Sequence, residues 1–350
     1  MREIIEKQWR ELAADWRRLY DGNSSLSPFQ AYDFLTFTGK GKPYRKDPFR
    51  LVGLKELNLA LIKDGEPVAI AALLVKKKRK RQLCYIRGHF TAANCVDFVY
   101  RPDLSYEDFQ FLMDGIKKRL GDVSFQFYRV LEDSLTCRYM REYFSPGQTA
   151  ADEGAYIPLT QSYESWRGSM HKSARQSLNN HRNRLMRDQV NWSVQYCYGS
   201  IDDETYQQAL ELCVGRMVTK NRFRFGPFAK PAQKLLAFLL RKEKLMRWVH
   251  QSKDGFYAIL YMNGEIAAFA SALICHGRWV CGIRFAISAR YVKYSPGGLL
   301  ISEMVCHLLE QNNAGGQALQ RLDMGQGVSG GMSYKSAYGG VIYHLYSFTS

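Results

Sequence analysis

Two apolar-rich runs stand out in the first half of the chain, Leu57 to Lys63 and Pro67 to Lys76. Short apolar-rich runs bounded by turn signals predict strands. Between them stands Asp64-Gly65-Glu66, a hairpin signal because glycine takes a positive φ without steric cost. A third strand is predicted at Gln82 to Arg87 and a fourth at Asp97 to Tyr100. Tyr106 to Leu120 predicts a helix, with Ser105 as its N-cap and Gly121 at its end. Val123 to Val130 predicts a closing strand. Ahead of all these, Ile4 to Tyr20 reads as an amphipathic helix.

Around Ser145 to Tyr156 the composition shifts to Ser, Pro, Gly, Thr and Ala, which marks a boundary between a domain at 1–150 and another at 151–350. A basic helix is predicted from Trp166 to Arg187, then helices near Asp202 to Thr219 and Ala232 to Leu245. Strands follow at Phe256 to Met262, Glu265 to Ile274 and Trp279 to Ala286. A helix at Leu299 to Gln311 and a strand at Ala318 to Met324 come next. Asp64-Gly65-Glu66-Pro67-Val68-Ala69 has a counterpart in Asn263-Gly264-Glu265-Ile266-Ala267-Ala268, 199 residues on. Each copy is a hairpin followed by a strand, a helix and a strand. The expected fold class is therefore α/β (α+β): two copies of one domain, each a mostly antiparallel sheet with flanking helices.

Composition narrows the function. The 350 residues hold 49 Lys+Arg against 33 Asp+Glu, a net charge of +16, yet 46% are hydrophobic. That excludes a disordered polycation and puts the excess charge on a folded surface. An anionic partner is expected: a nucleotide cofactor, a nucleic acid or a membrane surface. The longest uncharged apolar run is eight residues, Val68 to Val75, far below the roughly 20 that span a bilayer. The first twenty residues lack the apolar stretch of a signal peptide. Eight cysteines without a Cys-x-x-Cys pair suggest reduced thiols. The expectation is a cytoplasmic protein. The seven histidines form no ligand-like pair, so no metal is expected.

The strand-to-helix links of the two copies differ. The first, Tyr100-Arg101-Pro102-Asp103-Leu104-Ser105, carries an acidic residue where an anion would sit. The second, Tyr294-Ser295-Pro296-Gly297-Gly298-Leu299-Leu300, has two glycines at a helix start. Free N–H groups and the helix dipole there suit a phosphate or pyrophosphate. Gly325-Gln326-Gly327-Val328-Ser329-Gly330 matches a dinucleotide fingerprint in letters only. No convincing helix follows, and 20 residues are too few for the rest of a βαβ unit.

Tyr291-x-x-Tyr294-Ser295-Pro296-Gly297-x-Leu299-Leu300, then Leu322-Asp323-x-Gly325-x-Gly327, then Tyr334-Lys335-x-x-Tyr338-Gly339 resembles the signature of the BioF2-like (CelD-type) acetyltransferases. These belong to the GCN5-related N-acetyltransferase (GNAT) superfamily. Lys172-x-x-Arg175 through Arg182-x-Arg184-Leu185 is similar to the helix that precedes their domain. Trp9 to Leu12 with Ser27-Pro28-Phe29-Gln30 resembles their N-terminal segment. The resemblance runs from about residue 9 to 345. It implies a degenerate first GNAT-like domain and a second one holding acyl-CoA as donor. It also implies kinship with the FemABX transferases, whose donor is aminoacyl-tRNA. Many relatives carry His-x-x-Arg on the first helix of the second domain; here Cys213-Val214-Gly215-Arg216 leaves only Arg216.

By that resemblance the pyrophosphate sits on the amides of Gly297, Gly298 and Leu299 beside Ser295. Arg290 and Lys293 neutralise phosphate. Asp323 is the general base or amine anchor, Tyr334 protonates the leaving thiolate, and Lys335 binds an acceptor anion or the tetrahedral oxyanion. Arg216, Arg222, Arg224 and Phe225 form the acceptor side, where cations and aromatic rings suit a small amine bearing a carboxylate or phosphate. CoA does not explain the six consecutive cations Lys76, Lys77, Lys78, Arg79, Lys80 and Arg81. A solvated hairpin tip and a tRNA contact are both open for them, as for Lys172, Arg175 and Arg182. The leading expectation is thus an acyl-CoA-dependent N-acyltransferase, with aminoacyl-tRNA as the alternative donor.

Overall fold

The computed structural model describes residues 1–41, 51–91, 93–145, 147–220, 229–241, 244–314, 318–327 and 334–350. They divide into two compact units, one of Met1–Gly154 with Tyr343–Ser350, the other of Ala155–Ile342.

In the first unit the predicted hairpin forms from β2 (Leu54–Lys63) and β3 (Glu66–Lys78), preceded by β1 (Arg2–Glu6). The single N-terminal helix expected from Ile4 is thereby corrected. Residues 2–6 pair antiparallel with Leu59 to Lys63, and a 3₁₀ turn at Trp9–Leu12 leads into α1 (Ala13–Asp21). The β-branched pair Ile4-Ile5 favours the strand. Then come α2 (Tyr32–Thr38), β4 (Arg81–Ile86), β5 (Val99–Tyr100), α3 (Tyr106–Leu120), β6 (Val123–Leu131) and α4 (Leu135–Tyr143). Ser105 caps α3 as expected, accepting the N–H of Asp108. The sheet runs β1-β2-β3-β4-β6 and is completed by β13 (Val341–Thr349), antiparallel to β6.

Between the two halves β7 (Gln148–Pro158) runs through the stretch read as a linker. The basic helix is two pieces, α5 (Tyr163–Ser169) and α6 (Lys172–Arg187), because Met170 is extended. Next come β8 (Trp192–Tyr198), α7 (Asp203–Lys220), α8 (Ala229–Arg241) and α9 (Lys244–Gln251). The antiparallel strands β9 (Gly255–Met262), β10 (Glu265–Cys275) and β11 (Trp279–Ile287) follow. Finally α10 (Pro296–Asn313), β12 (Arg321–Gln326) and the short α11 (Tyr334–Ala337) precede β13. The second sheet runs β8-β9-β10-β11-β12 and continues to β7.

The repeat seen in the sequence is a structural duplication. Asp64 and Gly65 turn with φ of 52° and 83°, Asn263 and Gly264 with 50° and 82°. Past each turn the register slips at Val68 and at Ala267. The carbonyls of these two residues accept the N–H groups of Arg101 and Ser288. In each unit a parallel pair is held for three residues, Gln82–Cys84 on Val123–Phe125 and Trp279–Cys281 on Arg321–Asp323, and then ends.

Beyond those pairs the copies diverge. In the second unit β11 carries a one-residue bulge at Ile283 and stays on β10 as far as Ile287. At the same place the first unit inserts residues 87–98 between β4 and β5. Phe90, Ala93, Cys95, Val96 and Phe98 of the insertion are buried. The Arg129 guanidinium on β6 donates to the carbonyls of Ala93 and His89. The insertion therefore fills the ground that the second unit leaves between β11 and β12.

Candidate active site

Where β11 leaves β12, the backbones meet closely before they part. A Cβ on Gly282 would lie 2.7 Å from the Asp323 carbonyl. The bulge at Ile283 then turns β11 away, and the unpaired edges enclose a cavity of about 90 Å³. Ala270, Ala272, Phe285, Ile301, Met304, Leu322 and Met324 supply its apolar wall, and Ser271, Arg284, Asp323 and Tyr334 also line it. A larger cavity of about 460 Å³ lies along α7 and the end of β11, bordered by Glu211, Arg216 and Arg290.

The predicted phosphate cradle is a real helix start. Ser295 takes the left-handed conformation (φ 49°) and Pro296 opens α10. Leu299 needs correcting, because its N–H is spent on the Ser295 carbonyl at 3.1 Å. Pro296 has no N–H, so the first-turn amides left to bind an anion are those of Gly297 and Gly298. Gly297 packs on Phe285 and Ile287. A methyl on Gly298 would fall 2.0 Å from the Tyr338 hydroxyl. Tyr338 is anchored in turn: its carbonyl accepts the Trp166 indole N–H at 2.9 Å.

The loop cations have local partners: Arg290 pairs with Glu265, and Lys293 with Asp188 at 3.5 Å. Exposed pairs of this kind contribute at most about 1 kcal/mol, so a phosphate can compete for either cation. Asp323 is buried, and its carboxylate accepts the Gly325 N–H at 2.7 Å. Lys335, read as an acceptor-facing cation, is buried as well. It donates to the Gly325 carbonyl at 2.8 Å and to that of Gln326, which fixes the end of β12. Burial lowers its pKa, and the Asp323 charge opposes this. Tyr334 lines the smaller cavity; desolvation raises its pKa against the nearby Arg216 cation, so it is a phenol at neutral pH. Arg216 reaches from α7 to the Phe285 carbonyl at 3.2 Å.

Arg222, Arg224 and Phe225 lie outside the described residues. The cations set aside for nucleic acid fall in different settings. Lys76 to Lys78 belong to β3 and Arg81 to β4, leaving a tight turn at Arg79-Lys80. Lys77 to Arg81 are exposed, and Arg81 pairs with Asp122 at 3.1 Å. On α6, Lys172 is exposed and Arg175 partly so. Arg182 instead binds Glu303 at 2.6 Å, which ties α6 to α10. Sequence reasoning missed the seat of Tyr338 against Gly298, which no local pattern signals.

Residues 172–336 match the acetyltransferase (GNAT) domain family. No curated protein matches the sequence. Among solved structures, the chain resembles the tandem GNAT protein from the clavulanic acid biosynthesis pathway, solved without acetyl-CoA. The identity is 10%, the TM-score 0.50, and the match covers 100% of this chain and 98% of that one. A conserved protein of unknown function from Bacteroides thetaiotaomicron is 13% identical with a TM-score of 0.54, over 100% and 99% of the two chains. The C-terminal domain of a putative lysylphosphatidylglycerol synthetase from Agrobacterium fabrum is 13% identical with a TM-score of 0.50, over 98% and 92%. At such identities the likeness is one of fold. The duplicated mixed α/β fold is the one seen in the tandem GNAT protein, and its GNAT-family half holds the parted parallel pair and the glycine helix start. The family match covers the second half of the chain, and the fold as a whole is shared with a tandem GNAT protein.

Proposed function

We propose that the second unit transfers an acyl group, acetyl in the simplest case, from acyl-CoA to the amine of a small metabolite, amino sugar or amino-acid-like acceptor. The observation that carries this reading is the parted β11–β12 pair next to the free amides of Gly297 and Gly298. The amides take the donor pyrophosphate, with Arg290 and Lys293 within the same loop. The unpaired β11 edge from Gly282 offers N–H groups to the thioester carbonyl, polarising it where charge develops.

The acceptor amine approaches from the side of Arg216. Its nitrogen attacks the thioester carbon, and Asp323 takes the proton directly or through a water. Tyr334, a phenol at neutral pH, returns a proton to the departing thiolate. Lys335 acts at one remove, holding the Gly325 and Gln326 carbonyls and with them the turn that carries Asp323. Filled by its own insertion, the first unit is the degenerate copy. Among the described residues, no helix is long and apolar enough to cross a membrane.

A second reading keeps the chemistry and changes the donor to aminoacyl-tRNA, which would form a peptide bond. The exposed cations Lys77, Lys78, Arg79 and Lys80 on the first unit favour it. Titration calorimetry with acetyl-CoA, longer acyl-CoAs and bulk aminoacylated tRNA, at two salt concentrations, separates the two. Binding of an acyl-CoA supports the first; salt-sensitive tRNA binding without any CoA binding replaces it with the second.

A further inference from the structure

Helix α8 packs on α7 and α9, yet it keeps apolar side chains in water. Leu235 is 59% exposed, Phe238 57% and Leu239 51%. Their spacing, i, i+3 and i+4, sets them side by side on one helical face. Among the described residues no other element exposes three large apolar side chains; the rest occur singly or as a pair, which an ordinary protein surface tolerates. Basic residues accompany the stripe. Lys234, next to Leu235, is exposed. Lys230, Lys234 and Arg241 recur at intervals of four and seven, the repeat that keeps residues on one side of a helix. Lys244 and Arg247 follow on α9, and neither helix carries an acidic residue. The whole chain has 33 acidic residues to 49 basic ones, so five cations without one carboxylate is a local excess.

We propose that α8 docks on the surface of an anionic phospholipid bilayer, with the Leu235, Phe238 and Leu239 face dipping below the headgroups and the cations of the helix meeting lipid phosphates. An apolar face with Lys and Arg beside it is what an interfacial helix needs. Docking takes the stripe out of water, and each cation near a negatively charged leaflet adds attraction. With 13 residues α8 is too short to cross a bilayer, so it lies in the plane of the surface. A nucleic acid would satisfy the cations, but its bases stack on aromatic or guanidinium planes, and two leucines offer none. A second copy of this chain would set one basic helix against another. The inference stands apart from the acyl-transfer reading, since it uses neither the donor site nor the acceptor side.

Flotation of the full chain with lipid vesicles tests this. Vesicles of equal parts phosphatidylglycerol and phosphatidylcholine should bind it at least about tenfold more tightly than phosphatidylcholine alone. Leu235→Gln combined with Leu239→Gln exchanges two exposed leucines for another good helix former, so the melting temperature should hold. That double variant should lose at least about tenfold in affinity for the anionic vesicles, and its affinity for bulk tRNA should equal that of the wild type. Lys234→Gln should lose about fivefold on the same vesicles. Absence of binding to the anionic vesicles overturns the proposal. So does equal vesicle binding by the folded double variant, which would assign the attraction to charge elsewhere on the chain. Loss of tRNA binding in the double variant would make the face a nucleic-acid surface instead. A wild type that sediments as a dimer beside a monomeric double variant would make it a contact between copies of this chain; either result replaces the lipid.

Discussion

One methyl group on Gly298 would have to share space with the Tyr338 hydroxyl, 2.0 Å from where it would sit. Gly298→Ala should therefore destabilise the protein by roughly 1–3 kcal/mol, the usual range for overpacking. Tyr338→Phe in the same chain should recover part of the loss, and urea unfolding of both single variants and the double measures that coupling. Asp323→Asn keeps an oxygen for the Gly325 N–H but loses the base. Turnover should fall by roughly 100-fold with acetyl-CoA affinity unchanged; unaltered turnover removes Asp323 from the mechanism. Asp97 gives a pH test in the first unit. Burial raises its pKa to about 7, although Thr136 and the Phe98 N–H bind its carboxylate. The native state then holds a proton that the unfolded chain has lost, so stability is full below the unfolded pKa of about 4 and falls as pH rises through about 7. Asp97→Asn should flatten the stability profile between pH 4 and 7. The glycine helix start and Asp323 at the end of its strand could be picked out as candidates because the proposed chemistry needs particular residue types there. Leu235 and Leu239 could not, since only packing shows which leucines of α8 stay in solvent.

Among elements, the hairpins, α3 and α10 could be read from apolar runs, caps and turn residues, which act over a few neighbours. β1 could not, because its pairing with β2 joins residues about 60 apart and outweighs the local amphipathic pattern. The bulge at Ile283 was equally hidden. Its sequence reads as unbroken strand, and only the register of Ser271 and Ala272 against β11 exposes it. The start of α10 carries a prediction of its own. Gly297→Ala brings a methyl to 3.1 Å from Ile287 and 3.2 Å from Phe285, a tight but adjustable fit, and should weaken acetyl-CoA binding only slightly. Gly297→Glu sets a carboxylate where pyrophosphate would lie and should abolish binding. If the glutamate variant folds and binds acetyl-CoA normally, the phosphate cradle lies elsewhere.

At the level of the whole molecule, the net charge of +16 is distributed rather than pooled. Arg182, Arg290 and Lys293 have acidic partners in the second unit, while Lys77 to Lys80 of the first unit stand in solvent. Replacing those four cations together by glutamine should leave acetyl-CoA affinity unchanged; a loss would tie the first unit to donor binding. The duplication was legible from one hairpin motif and the order of elements behind it, but the ownership of the last strand was not. β13 follows the second copy in sequence and pairs in the first unit, where the His344 N–H meets Glu132 across 212 residues. Tyr343, Leu345 and Phe348 are buried there. At about 5–20 residues per second, a ribosome needs about 10 to 40 s to make that intervening stretch. The first half of a nascent chain must wait all that time with β6 lacking its neighbour, a template for wrong partners. A chain ended at residue 340 should keep the first unit in that unfinished condition, prone to aggregation and open to protease, and a chaperone that shields exposed strand edges should raise the yield of the full-length protein.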